Sequence, residues 1–134
     1  MIKIAIVEDE AMYAKQLEEF LHQYEKENGE AFDITIYSDG DQIVNKYQSQ
    51  YDIILMDVEM KFMDGMSAAE EIRKVDTEVV IIFITNMAQY AIRGYAKMTG
   101  GFVTMEMAEA LTEMANGHRI RGTAHLIKAA VKRD

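Results

Sequence analysis

Three carboxylates stand immediately after apolar runs: Glu8 and Asp9 after "IKIAIV", and Asp57 after "YDIILM". Ile2–Val7 and residues 53–56 are short, rich in β-branched side chains and bounded by polar ones, so each run reads as a buried strand with acids at its carboxyl end. If the two strands are neighbours, like charges crowd one rim and each raises the pKa of the others until a cation joins them. Mg2+ suits such a set, because it prefers oxygen ligands and takes one or two carboxylates plus waters. The plainer alternative is a group of solvated acids at loop starts; three acids in register favour the metal. Thr85, which closes "FIT", carries a hydroxyl that either bonds backbone or, at the same rim, donates to an oxyanion held on Asp57.

These groups need a scaffold that brings strand ends together, and the rest of the pattern supplies one. After Ile2–Val7, the side chains of Tyr13, Leu17, Phe20, Leu21 and Tyr24 share a helical stripe that Asn28-Gly29 stops. Phe32–Tyr37 is a second strand, and Ser38-Asp39-Gly40 caps a short helix expected to run through Tyr47. Asp64-Gly65 makes a turn before a helix over 68–75, and 79–84 is a fourth strand. A helix near 88–95, a strand near 102–104 and a helix near 106–116 complete five strand–helix units. Strands apolar on both faces that alternate with helices predict a parallel sheet covered on both sides, with its chemistry at the carboxyl ends of the strands.

Composition narrows the function classes. A length of 134 residues fits one domain, here read as 1–117 with a basic extension, 118–134, that is partly helical. The chain has no cysteine, its first residues lack the form of a signal peptide, and its longest apolar run, 79–84, is far short of the roughly 20 residues that cross a bilayer. A cytoplasmic protein without a membrane partner is expected. The net charge of −9 disfavours direct nucleic-acid binding. It is uneven: five Lys or Arg against one Asp give 118–134 a net of +4, leaving −13 for 1–117.

The segments "IVEDE", "YDIILMDVEM", "MDGMSAAEEIR" and "FITN" resemble the receiver domain of bacterial two-component response regulators, and "AIRGY" resembles receivers joined to LytTR DNA-binding domains. The resemblance runs from Met1 to about Ala96. It implies a flavodoxin-like (CheY-like), doubly wound α/β fold with five parallel strands in the order 2-1-3-4-5. It implies a phosphoryl group taken from a sensor histidine kinase, and no enzymatic activity beyond the chain's own phosphotransfer and dephosphorylation. By the same resemblance Asp57 is the phosphoacceptor, Asp9 ligates Mg2+ directly and Glu8 mainly through water, and the Glu59 backbone carbonyl is a further ligand. Thr85 contacts a phosphoryl oxygen, and Phe102 is the aromatic switch residue.

The pattern breaks where the family places a lysine and a cis-proline after the fifth strand. Met105 and Glu106 occupy those positions, and a thioether offers neither the charge nor the donors of a lysine. Phosphorylation is therefore expected to be slow or poorly coupled to output. Residues 97–117 form an atypical fifth unit, and the segment from 97 onward reads as divergence, an altered or joined segment, or a designed replacement. A homodimer through the fourth helix, fifth strand and fifth helix is a candidate output. The competing reading is a receiver-like interaction or assembly module uncoupled from phosphorylation. A flavin-binding protein of similar topology is disfavoured by the acidic rim and the lack of a phosphate cradle. His118 and His125 lack a third ligand for a metal site, and the eleven methionines read as adaptable packing.

Overall fold

Runs of β-branched residues too short to be helices pair here as parallel strands. The structure, a computed structural model, describes residues 1–84. Strands β1 (Ile2–Val7), β2 (Phe32–Tyr37), β3 (Ile53–Asp57) and β4 (Val80–Ile84) form one sheet in the order β2-β1-β3-β4. This is the expected α/β arrangement for the first four strands; the expected fifth strand, the helices after Thr85 and the extension lie outside the described residues. Ile4, Ala5, Ile6 and Val7 are all buried, so both faces of β1 are covered, while its two edges pair with β2 and β3. β2 departs from two-faced burial: Asp33 and Ile36 are exposed, as suits a strand whose one partner among the described residues is β1.

Helix α1 (Ala11–Asn28) buries Ala14, Leu17, Leu21 and Tyr24, while Tyr13 and Phe20 sit half-buried at the margins of the stripe. Gly29 ends it in the left-handed region, at φ 63° and ψ 31°, and its N–H donates to the Glu25 carbonyl. Tyr24 then stacks on Phe32, with ring centroids 5.8 Å apart, and the Glu25 carboxylate accepts from the Phe32 amide at 2.8 Å, fixing where β2 starts.

Helix α2 (Gly40–Val44) is shorter than its sequence suggests. Asn45 leaves helical geometry at ψ 117° and Lys46 turns to φ 60°, so Tyr47 lies beyond the helix. Helix α3 (Gly65–Arg73) begins three residues before the expected start, because the Asp64 side chain accepts from the Ser67 amide at 2.8 Å and caps it. No helix among the described residues is long and apolar enough to cross a membrane.

Four polar side chains link β2, the segment before β3 and the α3–β4 connection. Tyr37 and Tyr51 share a hydrogen bond between hydroxyls, Tyr51 stacks on Tyr47 at 6.3 Å, and the Tyr47 hydroxyl donates to buried Asp76 at 2.7 Å. Asp76 also accepts from the Glu78 and Val79 amides. Burial, then the bond to Tyr51, pushes the Tyr37 phenol up to about 12; burial, then the bond to Asp76, pushes Tyr47 higher still.

Unfolded tyrosines ionise near pH 10, so these two phenols hold protons that the unfolded chain releases. Their stabilisation is complete below about pH 10 and is lost as pH rises through the folded values. Tyr47→Phe should cost about 1–3 kcal/mol at neutral pH by removing a donor from buried Asp76. It should also lose less stability than wild type on going to strongly alkaline pH, as read by urea denaturation. Parallel alkaline losses in the two proteins would contradict the assignment.

Candidate functional site

The pairing register decides whether the three acids meet. Val7 lies opposite Met56 in the β1–β3 pairing, so the next residues, Glu8 and Asp57, leave adjacent strands at one level. Neighbouring strands are about 4.8 Å apart. One carboxylate oxygen each from Glu8, Asp9 and Asp57 lies within 4.8 Å of the others. Glu8 is 3% exposed, Asp57 half-buried and Asp9 exposed, so the cluster opens outward from a buried floor. The Glu8 amide donates to the Tyr37 carbonyl at 3.0 Å, and the Glu8 carboxylate accepts from the Glu10 amide at 3.3 Å.

Three converging carboxylates repel one another, and the cost of that repulsion falls on the protonation of Asp9. Loss of solvent, a hydrogen bond with Glu8, and the charges of Glu8 and Glu10 together raise the Asp9 carboxyl above its ordinary value. The donor set is all oxygen and open on one side, which fits a small hard cation such as Mg2+.

The β3–α3 loop, 58–64, is held at both its neck and its far side. At the neck the Gly65 amide donates to the Val58 carbonyl at 2.8 Å. A Cβ on Gly65 would sit 2.0 Å from the Asp57 carbonyl oxygen and 2.9 Å from Met56 Cγ, so no larger residue fits without moving the Asp57 backbone. On the far side, buried Asp39 accepts from the Phe62 amide at 3.0 Å and the Met63 amide at 2.8 Å, and caps α2 through the Asp41 amide at 3.4 Å. Burial alone would raise the Asp39 carboxyl, but the amides of Phe62, Met63, Asp41 and Gly40 outweigh it and hold it below its ordinary value. Lys61 and Phe62 are exposed at the tip of the loop, with the ammonium 5.4 Å from the ring centre.

Of the residues singled out from sequence, Glu8, Asp9 and Asp57 are brought together, and Glu59 lies two positions beyond Asp57 with an exposed side chain. Thr85, Phe102 and Met105 lie outside the described residues. Two contributors were missed as parts of the site. Asp39 reads in sequence as a helix cap alone, and Gly65 as a turn residue. The signal for both is the repeated Asp-Gly pair at 39–40 and 64–65, whose two glycines make close backbone approaches that sequence spacing does not reveal.

The chain matches the family model described as "Response regulator receiver domain" over residues 4–116. It is 34% identical over 92 residues to a probable transcriptional regulator, ycf27, of Guillardia theta, covering 68% of this chain and 34% of that protein. It is 33% identical over 89 residues to the chemotaxis protein CheY of Bacillus subtilis, covering 65% of this chain and 69% of CheY. The chain thus spans about a third of one relative and over two thirds of the other, and 48% of a third, ycf29 of Porphyra purpurea. Among solved structures it resembles the response regulator TrrA of Thermotoga maritima in complex with Mg2+–BeF, at 25% identity and a TM-score of 0.64, covering 85% of this chain and 99% of that one. It also resembles a chain in the complex of histidine kinase ThkA with TrrA, at 30% identity and a TM-score of 0.53, covering 62% and 67%.

The raised Asp9 carboxyl has a signed consequence for stability. The folded state holds its proton more tightly, so without divalent cations stability falls as pH rises through the folded value, and the penalty vanishes below the unfolded pKa of about 3.9. In chelator at neutral pH, Asp9→Asn should therefore be more stable than wild type, by less than about 1 kcal/mol because solvent screens an exposed charge. Thermal unfolding across acidic to neutral pH checks this, and the advantage should shrink on acidification. A variant less stable than wild type at neutral pH would contradict it.

Proposed function

This chain belongs to the response regulator receiver domain family, and we propose that it accepts a phosphoryl group on Asp57 from a sensor histidine kinase. The observation that carries the reading is the convergence of Glu8, Asp9 and Asp57 within 4.8 Å at the carboxyl ends of β1 and β3. The Mg2+–BeF complex of TrrA supports a magnesium requirement, and the ThkA–TrrA complex supports a kinase as partner. Asp9, Asp57 and the Glu59 carbonyl would hold the cation, with Glu8 reaching it mainly through water. When bound, Mg2+ neutralises charge on the transferring phosphoryl group and on the carboxylates around it.

The chain's own residues do the rest. An Asp57 carboxylate oxygen attacks phosphorus in line; a new O–P bond forms, the bond to the donor breaks, and the leaving group departs with that electron pair. β3 and the Gly65–Val58 bond fix the direction of attack, which is where positioning contributes most. Thr85 donates to a phosphoryl oxygen, and Phe102 follows it inward, shifting the face formed by the fourth helix, fifth strand and fifth helix toward dimerisation. The chain catalyses its own phosphotransfer and dephosphorylation only, acts in the cytoplasm, and does not itself bind nucleic acid. "AIRGY" allies it with LytTR-type receivers.

Met105 at the lysine position favours a second reading, an interaction module whose association no longer follows phosphorylation. Intact mass after incubation with a small phosphodonor and Mg2+ tests the first. Wild type should gain one phosphoryl group, whereas Asp57→Ala, or wild type in chelator, should gain none; an unmodified wild type overturns the proposal. If mass is gained while the oligomeric state stays constant, the second reading of output holds.

Restoring the missing cation is a separate test. Met105→Lys should speed phosphorylation by on the order of 10²- to 10³-fold, the scale of one transition-state donor. An unchanged rate would mean that position 105 does not face the acceptor.

A further inference from the structure

We propose that Asp39, at the β2–α2 junction, is a positioning residue for the metal centre: it holds the β3–α3 loop in the form that presents the Glu59 carbonyl. The inference rests on the metal-centre reading given above. Two independent features of the β2–α2 junction point to it. The first is the grip of the Asp39 carboxylate, which spends one oxygen on the Phe62 amide and the other on the Met63 amide although α2 needs only one acceptor for its cap. The second is the close approach at Gly40, where a Cβ would lie 2.5 Å from the Met63 carbonyl oxygen and 3.0 Å from Ala68 Cβ. Glycine at 40 lets the two backbones touch, and Asp39 locks them once they do.

The loop is also restrained where it joins α3. Its neck is closed by the Gly65–Val58 bond, and between neck and tip lies Glu59, three residues before the first amide that Asp39 holds. A ligand supplied by backbone cannot be aimed by a side-chain rotamer; it is aimed by whatever fixes the φ and ψ angles around it. Asp39 does this from a separate element, through the Phe62 and Met63 amides. It therefore serves the cation as an outer-layer group serves a ligand side chain, a role whose loss typically weakens metal binding by about 10- to 100-fold.

Mn2+ titration of the full 134-residue chain, followed by the loss of the free-ion paramagnetic signal, tests the proposal. Asp39→Ala should bind Mn2+ about tenfold more weakly than wild type, and the Phe62 and Met63 amides should lose their protection from hydrogen exchange. Asp39→Asn, which keeps one acceptor oxygen, should fall between the two and serves where the alanine variant does not fold. Tyr47→Phe is the control for general destabilisation, since it breaks a buried hydrogen bond elsewhere and should keep wild-type Mn2+ affinity. Wild-type affinity in folded Asp39 variants overturns the inference and leaves the metal centre standing. Equal weakening in Tyr47→Phe overturns it as well, by reducing Asp39 to a stability effect. Wild type that takes up no Mn2+ overturns the metal centre itself, and the inference with it.

Discussion

The alignment of β1 against β3 is the constraint on which the rest depends. With Val7 opposite Met56, the chain leaves the sheet at Glu8 and Asp57 side by side. A slip of one residue would reverse the facing of each side chain in one strand, exchanging which of the consecutively buried Ile53–Met56 side chains pack on each face and moving Asp57 out of level with Glu8. The hydrophobic core and the charged rim are thus specified by one set of contacts. Burial of Ile4, Ile6, Ile54 and Leu55 stabilises the arrangement that forces carboxylates together.

That arrangement is uphill at the rim, and the surrounding structure tolerates it by different means on each side. Glu8 is buried but held through backbone on both sides of its own position, whereas Asp9 relieves the crowding by keeping a proton more readily. Asp39 offers the contrast of a carboxylate more deeply buried than Asp9 yet driven toward ionisation, because backbone amides outweigh the cost of its burial. Identical chemistry in neighbouring loops is pushed in opposite directions by what each loop aims at it.

Much of this was legible in the sequence, for reasons that also explain the gaps. β1 and β2 fall at the expected residues, and α1 stops at Gly29, because a β-branched run bounded by acids and an Asn-Gly stop are local signals. The α3 start was displaced because glycine is a poor helix former, so Asp64-Gly65 resembles a turn; steric need at the Asp57 carbonyl overrides propensity there. α2 falls short of Tyr47 because that ring is drawn to Asp76, a contact across 29 residues that no local pattern encodes. The acids could be nominated from strand ends, but the amide grip of Asp39 is non-local in the same way, and a cap signal masks it.

Gly65 gives the site an unequal susceptibility to mutational drift. Each acid of the cluster has an amide counterpart of nearly the same size that meets no steric clash in its place. Position 65 admits no such neutral exit, since any side chain displaces the Asp57 backbone and the β3 end with it. A lineage released from the proposed function would therefore shed the carboxylates first and the glycine last. In a degenerate descendant, the glycine would be a record of the architecture, and the acids a record of its use.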